Sequence, residues 1–161
     1  MREVVDALRL LLRCDGPVTY DGAFVHLDGV ELDYVHQEPR PKQVPIYIGA
    51  TGMQMMQLAG EVADGVVLNY LVSPAYNERA LAALALGAGK AGRRLDSIDR
   101  PQLVVCSLDE DRDAALDAAR LLVTQYLGQQ PHIMAASGVP SSLLAVIGAV
   151  LTWPAGHDEV V

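Results

Sequence analysis

Two stretches of the chain combine residue types that could do chemistry. The first is Gly49-Ala50-Thr51-Gly52, which follows the apolar run Ile46-Tyr47-Ile48 and leads straight into a helical pattern. A strand that passes through glycine into a helix leaves the first backbone N–H groups of that helix unbonded. Those amides and the helix dipole favour a phosphate, and glycine lets it approach closely. Thr51 either adds a hydroxyl donor or caps the helix in the ordinary way. The spacing is neither a GxGxxG fingerprint nor a P-loop, which would need a lysine, so a plain tight turn stays open as the alternative. Met53 opens the helix, and with Met55 and Met56 reads as core or pocket wall. The second stretch is Asn69-Tyr70, at the end of Val66-Val67-Leu68. There a carboxamide can donate and accept at once, or simply cap a loop.

Other reactive residue types are arranged less suggestively. His26, His36, His132 and His157 form no i, i+3 or i, i+4 sets with acids or cysteines, which argues against a metal site or a triad. Asp109, Glu110, Asp111 and Asp113 read as charge placed at a helix start. Glu61 and Asp64 suit surface and helix-end roles better than paired acid catalysis. Cys14 and Cys106 are far apart and read as reduced thiols. No side chain stands out as a catalytic acid or base.

The elements that must position these residues follow from periodicity. Val4, Val5, Leu8, Leu11 and Leu12 define one helix face over residues 1–13, stopped by Asp15-Gly16-Pro17. Residues 18–32 alternate loosely, with Asp21-Gly22 and Asp28-Gly29 as turns. Pro39, Pro41 and Pro45 suggest an extended linker, so that 14–44 form an excursion and linker. Three strand–helix units fill 45–127. Strands are expected at 46–48, 66–68 and 103–105, with helices at 52–63, 74–91 and 111–127 on one side. Ser73-Pro74 is a strong start for the second helix, which Gly87 and Gly89 weaken. Ala115, Ala118, Ala119, Leu122 and Tyr126 should form the apolar face of the third. Residues 128–161 read as a helical tail, with one apolar helix near 141–152. Alternation with short connections implies an α/β fold with adjacent parallel strands and right-handed crossovers.

Composition bounds the rest. With 12 basic and 20 acidic residues the net charge is −8, which argues against a nucleic-acid surface or an anionic-membrane patch. An apolar fraction of 51% is ample for a core, and 161 residues suit a single domain. No apolar run approaches the ~20 residues that span a bilayer. The start Met1-Arg2-Glu3-Val4 lacks the features of a signal peptide, so the cytoplasm is the expected location.

Three stretches together resemble a known family: Met1-Arg2-Glu3-Val4-Val5-Asp6-Ala7-Leu8-Arg9 leading to Pro17-Val18-Thr19-Tyr20-Asp21-Gly22; Val44-Pro45-Ile46-Tyr47-Ile48-Gly49-Ala50-Thr51-Gly52; and Leu58-Ala59-Gly60-Glu61-Val62-Ala63-Asp64-Gly65-Val66-Val67-Leu68-Asn69. The chain over about residues 1–127 resembles the luciferase-like monooxygenase superfamily, in its deazaflavin-dependent, methylenetetrahydromethanopterin reductase-like branch. The resemblance implies a (β/α)8 TIM barrel with a flavin or deazaflavin across the carboxyl-end mouth. Residues 1–13 would be the helix after strand four, 45–49 strand five, 65–69 strand six and 102–107 strand seven. It places the cofactor phosphate on the amides of Gly49, Ala50, Thr51 and Gly52, with Met53 lining the pocket and Asn69 and Tyr70 near the mouth.

Strands one to four and eight have no counterpart in the chain, so the expected architecture is a single incomplete barrel domain. A complete barrel needs about 200 residues or more. The implied activity is hydride transfer with coenzyme F420 or FMN on a small-molecule substrate, with an FMN-dependent monooxygenase as the runner-up. A truncated, non-catalytic remnant or assembly partner is the rival of another class. An open part-barrel should form a homo-oligomer or need the missing barrel half.

Overall fold

The computed structural model describes residues 1–33, 36 and 40–150. Pro39 in the expected linker, the last two residues of the expected 141–152 helix, and the tail Trp153–Val161 with His157 lie outside the described residues.

Helix α1 covers Arg2–Leu12. Of the expected apolar face only Val5 is buried; Val4 and Leu8 are 41% exposed each, and Ala7 is the other buried residue. Polar contacts complete the docking. Arg2 pairs with Glu61, and Arg9 donates to the Val62 carbonyl and to Asp64 at 2.9 and 3.0 Å. Strands β1 (Val18–Asp21) and β2 (His26–Val30) form an antiparallel hairpin. Its 22–25 tip closes on itself through a Gly22 N–H to Val25 carbonyl bond of 2.9 Å. Glu3 holds that tip, accepting from the amides of Ala23, Phe24 and Val25 at 3.0, 2.8 and 2.9 Å. The Asp28-Gly29 turn is not realised. Gly29 sits inside β2 at φ +61°, where the ladder slips register, so this pair makes a bulge rather than a reversal.

Two strand–helix units follow as the alternation implies. Strand β3 (Tyr47–Gly49) runs into α2 (Met53–Val62), and β4 (Gly65–Val67) into α3 (Pro74–Lys90). The strands pair in parallel, with Ile48 opposite Val66. Ser73 caps α3 by accepting from the Tyr76 amide at 3.2 Å, with Pro74 in the first turn. Helices α2 and α3 pack backbone to backbone. A Cβ on Gly87 would lie 1.8 Å from the Gln57 carbonyl oxygen, and one on Gly60 would lie 2.2 Å from that of Leu84. Gly87 therefore does not weaken the fold; it permits this approach.

The third strand differs from expectation. Pairing with β4 occurs at 99–103, not 103–105: Val66 donates to Asp99 and Leu68 to Pro101, both at 2.9 Å, and Leu103 donates back to Leu68 at 3.0 Å. The direction is parallel, as expected. Past Leu103 the chain leaves β4, and Val104 and Leu108 are 79% and 91% exposed. The apolar run there has the composition of a buried strand, but 104–106 make no backbone bond to another strand among the described residues.

Helix α4 (Arg112–Gln129) is capped by Asp111, whose carboxylate accepts from the Asp113 amide at 2.9 Å. The acidic cluster thus serves the helix start. Of its expected apolar face only Tyr126 is buried, while Ala118 and Leu122 are exposed. Helices α5 (Pro131–Ala136) and α6 (Ser141–Val150) complete the described chain. The core lies between the sheet and α2–α3, built from Ile48, Met56, Val66, Tyr76, Leu84 and Ile98.

Candidate functional site

The carboxyl ends of β3 and β4 lie side by side, because the strands are parallel and paired through Gly49 and Val67. That brings Gly49–Met53 and Asn69-Tyr70 to one edge of the sheet, where parallel α/β folds gather ligands.

The turn after β3 is built from both sides of the chain. Ala50 is buried at 4% exposure and anchors it, whereas Gly49, Thr51 and Gly52 are exposed. Gly52 is the N-cap of α2, in extended conformation (φ −100°, ψ 145°), and no side chain caps the helix. The alternative of Thr51 as an ordinary N-cap is therefore not realised. The first bond into the helix is from the Met56 amide to the Gly52 carbonyl, 2.9 Å. Helix geometry leaves the preceding amides without intrahelical acceptors. No acidic residue in the first turn offsets the positive end of the dipole. Among the described residues, no atom outside the adjoining chain lies within 4 Å of a Cβ built on Gly49 or Gly52. Neither glycine is demanded by packing or by a positive φ, and the space before them is open. Those features fit a phosphate. Met53 is half-buried against the core beside this turn.

Asn69 is committed to the chain itself. Its Nδ2 donates to the Tyr126 hydroxyl, its Oδ1 accepts from the Tyr70 amide at 3.0 Å, and its carbonyl accepts from Gln102 Nε2. Tyr70 and Tyr126 rings meet at 4.6 Å, tilted by 41°. Burial pushes the Tyr126 phenol up, a rise that the Asn69 hydrogen bond opposes. Leu71 follows at φ +55°, a left-handed conformation unusual for a leucine, at the strand's mouth. Asn69 thus braces the loop that follows β4.

Three residues that sequence reasoning passed over help build the region. Tyr76, on α3, is buried at 1% exposure and donates its hydroxyl to the Thr51 carbonyl. Tyr126 and Gln102 hold Asn69 from two directions. Among the described residues, no group of three or more His, Cys, Asp or Glu is placed to hold a metal ion.

A parallel α/β layer whose strand–helix turns gather at its carboxyl edge is the class this geometry defines. The sequence profile of the luciferase-like monooxygenase family matches residues 1–145, and the chain belongs to that family. It is 34% identical over 152 residues to the 5,10-methylenetetrahydromethanopterin reductase of Archaeoglobus fulgidus, covering 94% of this chain and 44% of that protein. Identity to the F420-dependent glucose-6-phosphate dehydrogenase of Nakamurella multipartita is 38% over 104 residues, covering 64% and 30% of the two chains. The structure superposes on the coenzyme F420-dependent tetrahydromethanopterin reductase of Methanopyrus kandleri with a TM-score of 0.72 at 32% identity, over 88% of this chain and 40% of that one. An F420-dependent secondary alcohol dehydrogenase shares the fold, with a TM-score of 0.66 at 22% identity. The chain spans less than half the length of these relatives.

Proposed function

We propose that this chain forms the phosphate-holding part of the cofactor pocket of an F420-dependent oxidoreductase. The observation that carries this reading is the uncapped start of α2, with open space at Gly49 and Gly52, on the carboxyl edge of a parallel sheet. Its relatives include proteins whose names state F420 dependence. The backbone amides of Gly49, Ala50, Thr51 and Gly52 would hold the phosphate, and Met53 would line the adjoining wall. Asn69, with both ends of its carboxamide bonded within the chain, sets the neighbouring loop so that Tyr70 stands beside the pocket. Coenzyme F420, when bound, supplies two-electron hydride chemistry toward a small-molecule substrate. We assign no acid or base to the chain, whose part is to bind and orient.

In this reading β3, β4 and the 99–103 segment are strands five to seven of a (β/α)8 barrel, in a single incomplete barrel domain in the cytoplasm. Exposed Leu103, Val104 and Leu108 mark the edge that a further strand covers, from another copy or from the other barrel half. Among the described residues no helix is long and apolar enough to cross a membrane.

The test is titration of coenzyme F420 and of FMN into the chain, alone and mixed with the amino-terminal barrel half of a relative. Gly52→Val keeps an allowed backbone, and its Cβ has no described atom beyond its chain neighbours within 4 Å, so the fold should survive. It should weaken cofactor binding by ~1–3 kcal/mol, the scale of displaced charge-assisted hydrogen bonds. Thr51→Ala should cost less. A folded Gly52→Val chain that binds as tightly as wild type would refute the site. FMN binding to the exclusion of F420 would favour the monooxygenase reading. Binding of neither, even with the other half present, would favour a non-catalytic assembly partner.

A further inference from the structure

The phosphate turn is held by a side chain from another helix. Tyr76 projects from the first turn of α3, and its ring is buried at 1% exposure. Its hydroxyl donates to the Thr51 carbonyl, on the turn between β3 and α2. In a trans peptide the C=O of one residue and the N–H of the next lie in one plane and point in opposite directions. Drawing the Thr51 carbonyl in toward α3 therefore turns the Gly52 N–H away from α3. The Gly52 carbonyl is separately fixed by the Met56 amide at 2.9 Å, so both peptide planes flanking Gly52 are set.

We infer that Tyr76 is a positioning residue for the anion turn: its hydroxyl orients the Gly52 amide toward a ligand phosphate without touching that ligand. The inference rests on the phosphate site proposed above. Burial raises the phenol's affinity for its proton, so the hydroxyl stays a donor through physiological pH. A hydroxyl kept only for core stability would act alike on every ligand. One that aims an amide acts on the phosphate alone.

Tyr76→Phe keeps the ring and removes only the donor. Binding of coenzyme F420 and of the same deazaflavin lacking its phosphate is measured by fluorescence titration of wild type and variant, each as the full 161-residue chain mixed with the amino-terminal barrel half of a relative. The variant should lose about three- to tenfold in affinity for the phosphate-bearing form, the scale of one hydrogen bond, and nothing for the phosphate-free form. Equal losses for both ligands, or no loss for either while wild type discriminates, would overturn the positioning role alone. If wild type binds the two forms equally, or binds neither, the phosphate site itself fails and the inference with it. Should the variant not fold, the amide spectrum of wild type decides. The Gly52 resonance must move with the phosphate-bearing ligand and stay with the other; a Gly52 signal indifferent to both ends the proposal.

Discussion

Replacing Gly87 by alanine adds a single methyl group where, among the described glycines, a built Cβ meets the tightest contact. The new Cβ would sit 1.8 Å from the Gln57 carbonyl oxygen and 2.7 Å from its carbonyl carbon. Both are backbone atoms in the middle of α2, so no flexible side-chain end can swing away. Restoring normal contact requires α2 and α3 to separate by about 1.5 Å, well beyond the gap that already forfeits a large part of the dispersion well. Overpacking of this kind costs ~1–3 kcal/mol, and rigid backbone on both sides puts it at the upper end. Alanine's better helix propensity returns ~1 kcal/mol. The net is a loss of about 2 kcal/mol, or roughly 4–8 °C in Tm for a chain of this size. Gly89 supplies the internal control: it lies two residues away in the same helix, exposed, and among the described residues no atom outside its own helical turn lies within 4 Å of a built Cβ. Gly89→Ala should gain ~0.5–1 kcal/mol. Urea denaturation of both variants, followed by circular dichroism, measures the two signs. A Gly87→Ala chain as stable as wild type would show that the helices do not meet at this distance, and the account of the core would fall with it.

Two further expectations concern acid and association. Glu3 is held below the usual carboxylate range, first by the Phe24 amide; Glu61 likewise, first by Arg2; for Asp64 burial raises the value, but the Ile46 amide and Arg9 outweigh it. Carboxyls with lowered folded values contribute stability that is fully present above the ordinary values of 4.5 and 3.8 and is lost as pH falls through the folded ones. Urea midpoints should thus stay level from neutral pH to about 5 and drop below about 4, with Asp64→Asn reducing the drop; a midpoint that rises on acidification contradicts the pairing. The exposed run Leu103, Val104 and Leu108 should make the isolated chain self-associate, and a monodisperse monomer in sedimentation, melting sharply, would count against an open edge.

How much of this was legible in the sequence depended on where each interaction's partner lies. Strands β3 and β4 and helices α2 and α3 were readable because their signals are local: apolar runs ended by Gly49 and by Asp64-Gly65, and the cap Ser73 before Pro74. The third strand was misplaced because hydrophobicity marks burial, not pairing. Of the apolar stretch Leu103-Val104-Val105-Cys106 only Leu103 joins the ladder to β4, which otherwise uses the backbones of Asp99 and Pro101, residues that strand propensity disfavours. Gly87 was read as a flaw in α3 because only the position of α2 reveals what its missing Cβ makes room for. The same limit applied to α4, whose apolar stripe includes exposed Ala118 and Leu122.

For the candidate site the division is different, because its two halves use different atoms. Main-chain amides do the binding proposed for Gly49–Gly52, and a glycine–helix junction announces those in sequence whatever the side chains are. Asn69 was singled out for its carboxamide, and that carboxamide is occupied within the chain by Tyr126 and the Tyr70 amide. These bonds give Asn69 a framing role and leave its carboxamide one further donor hydrogen and one further lone pair. The framing residues themselves left a trace that went unread. Tyr76, Ala80, Leu84 and Ala88 are all buried and recur every four residues along α3. A tyrosine heading an otherwise aliphatic buried stripe is a polar group that must find a partner once inside. The partner is the carbonyl of Thr51, so the residue that best reports the turn's geometry lies 25 positions away from it, on a helix with no chemistry of its own.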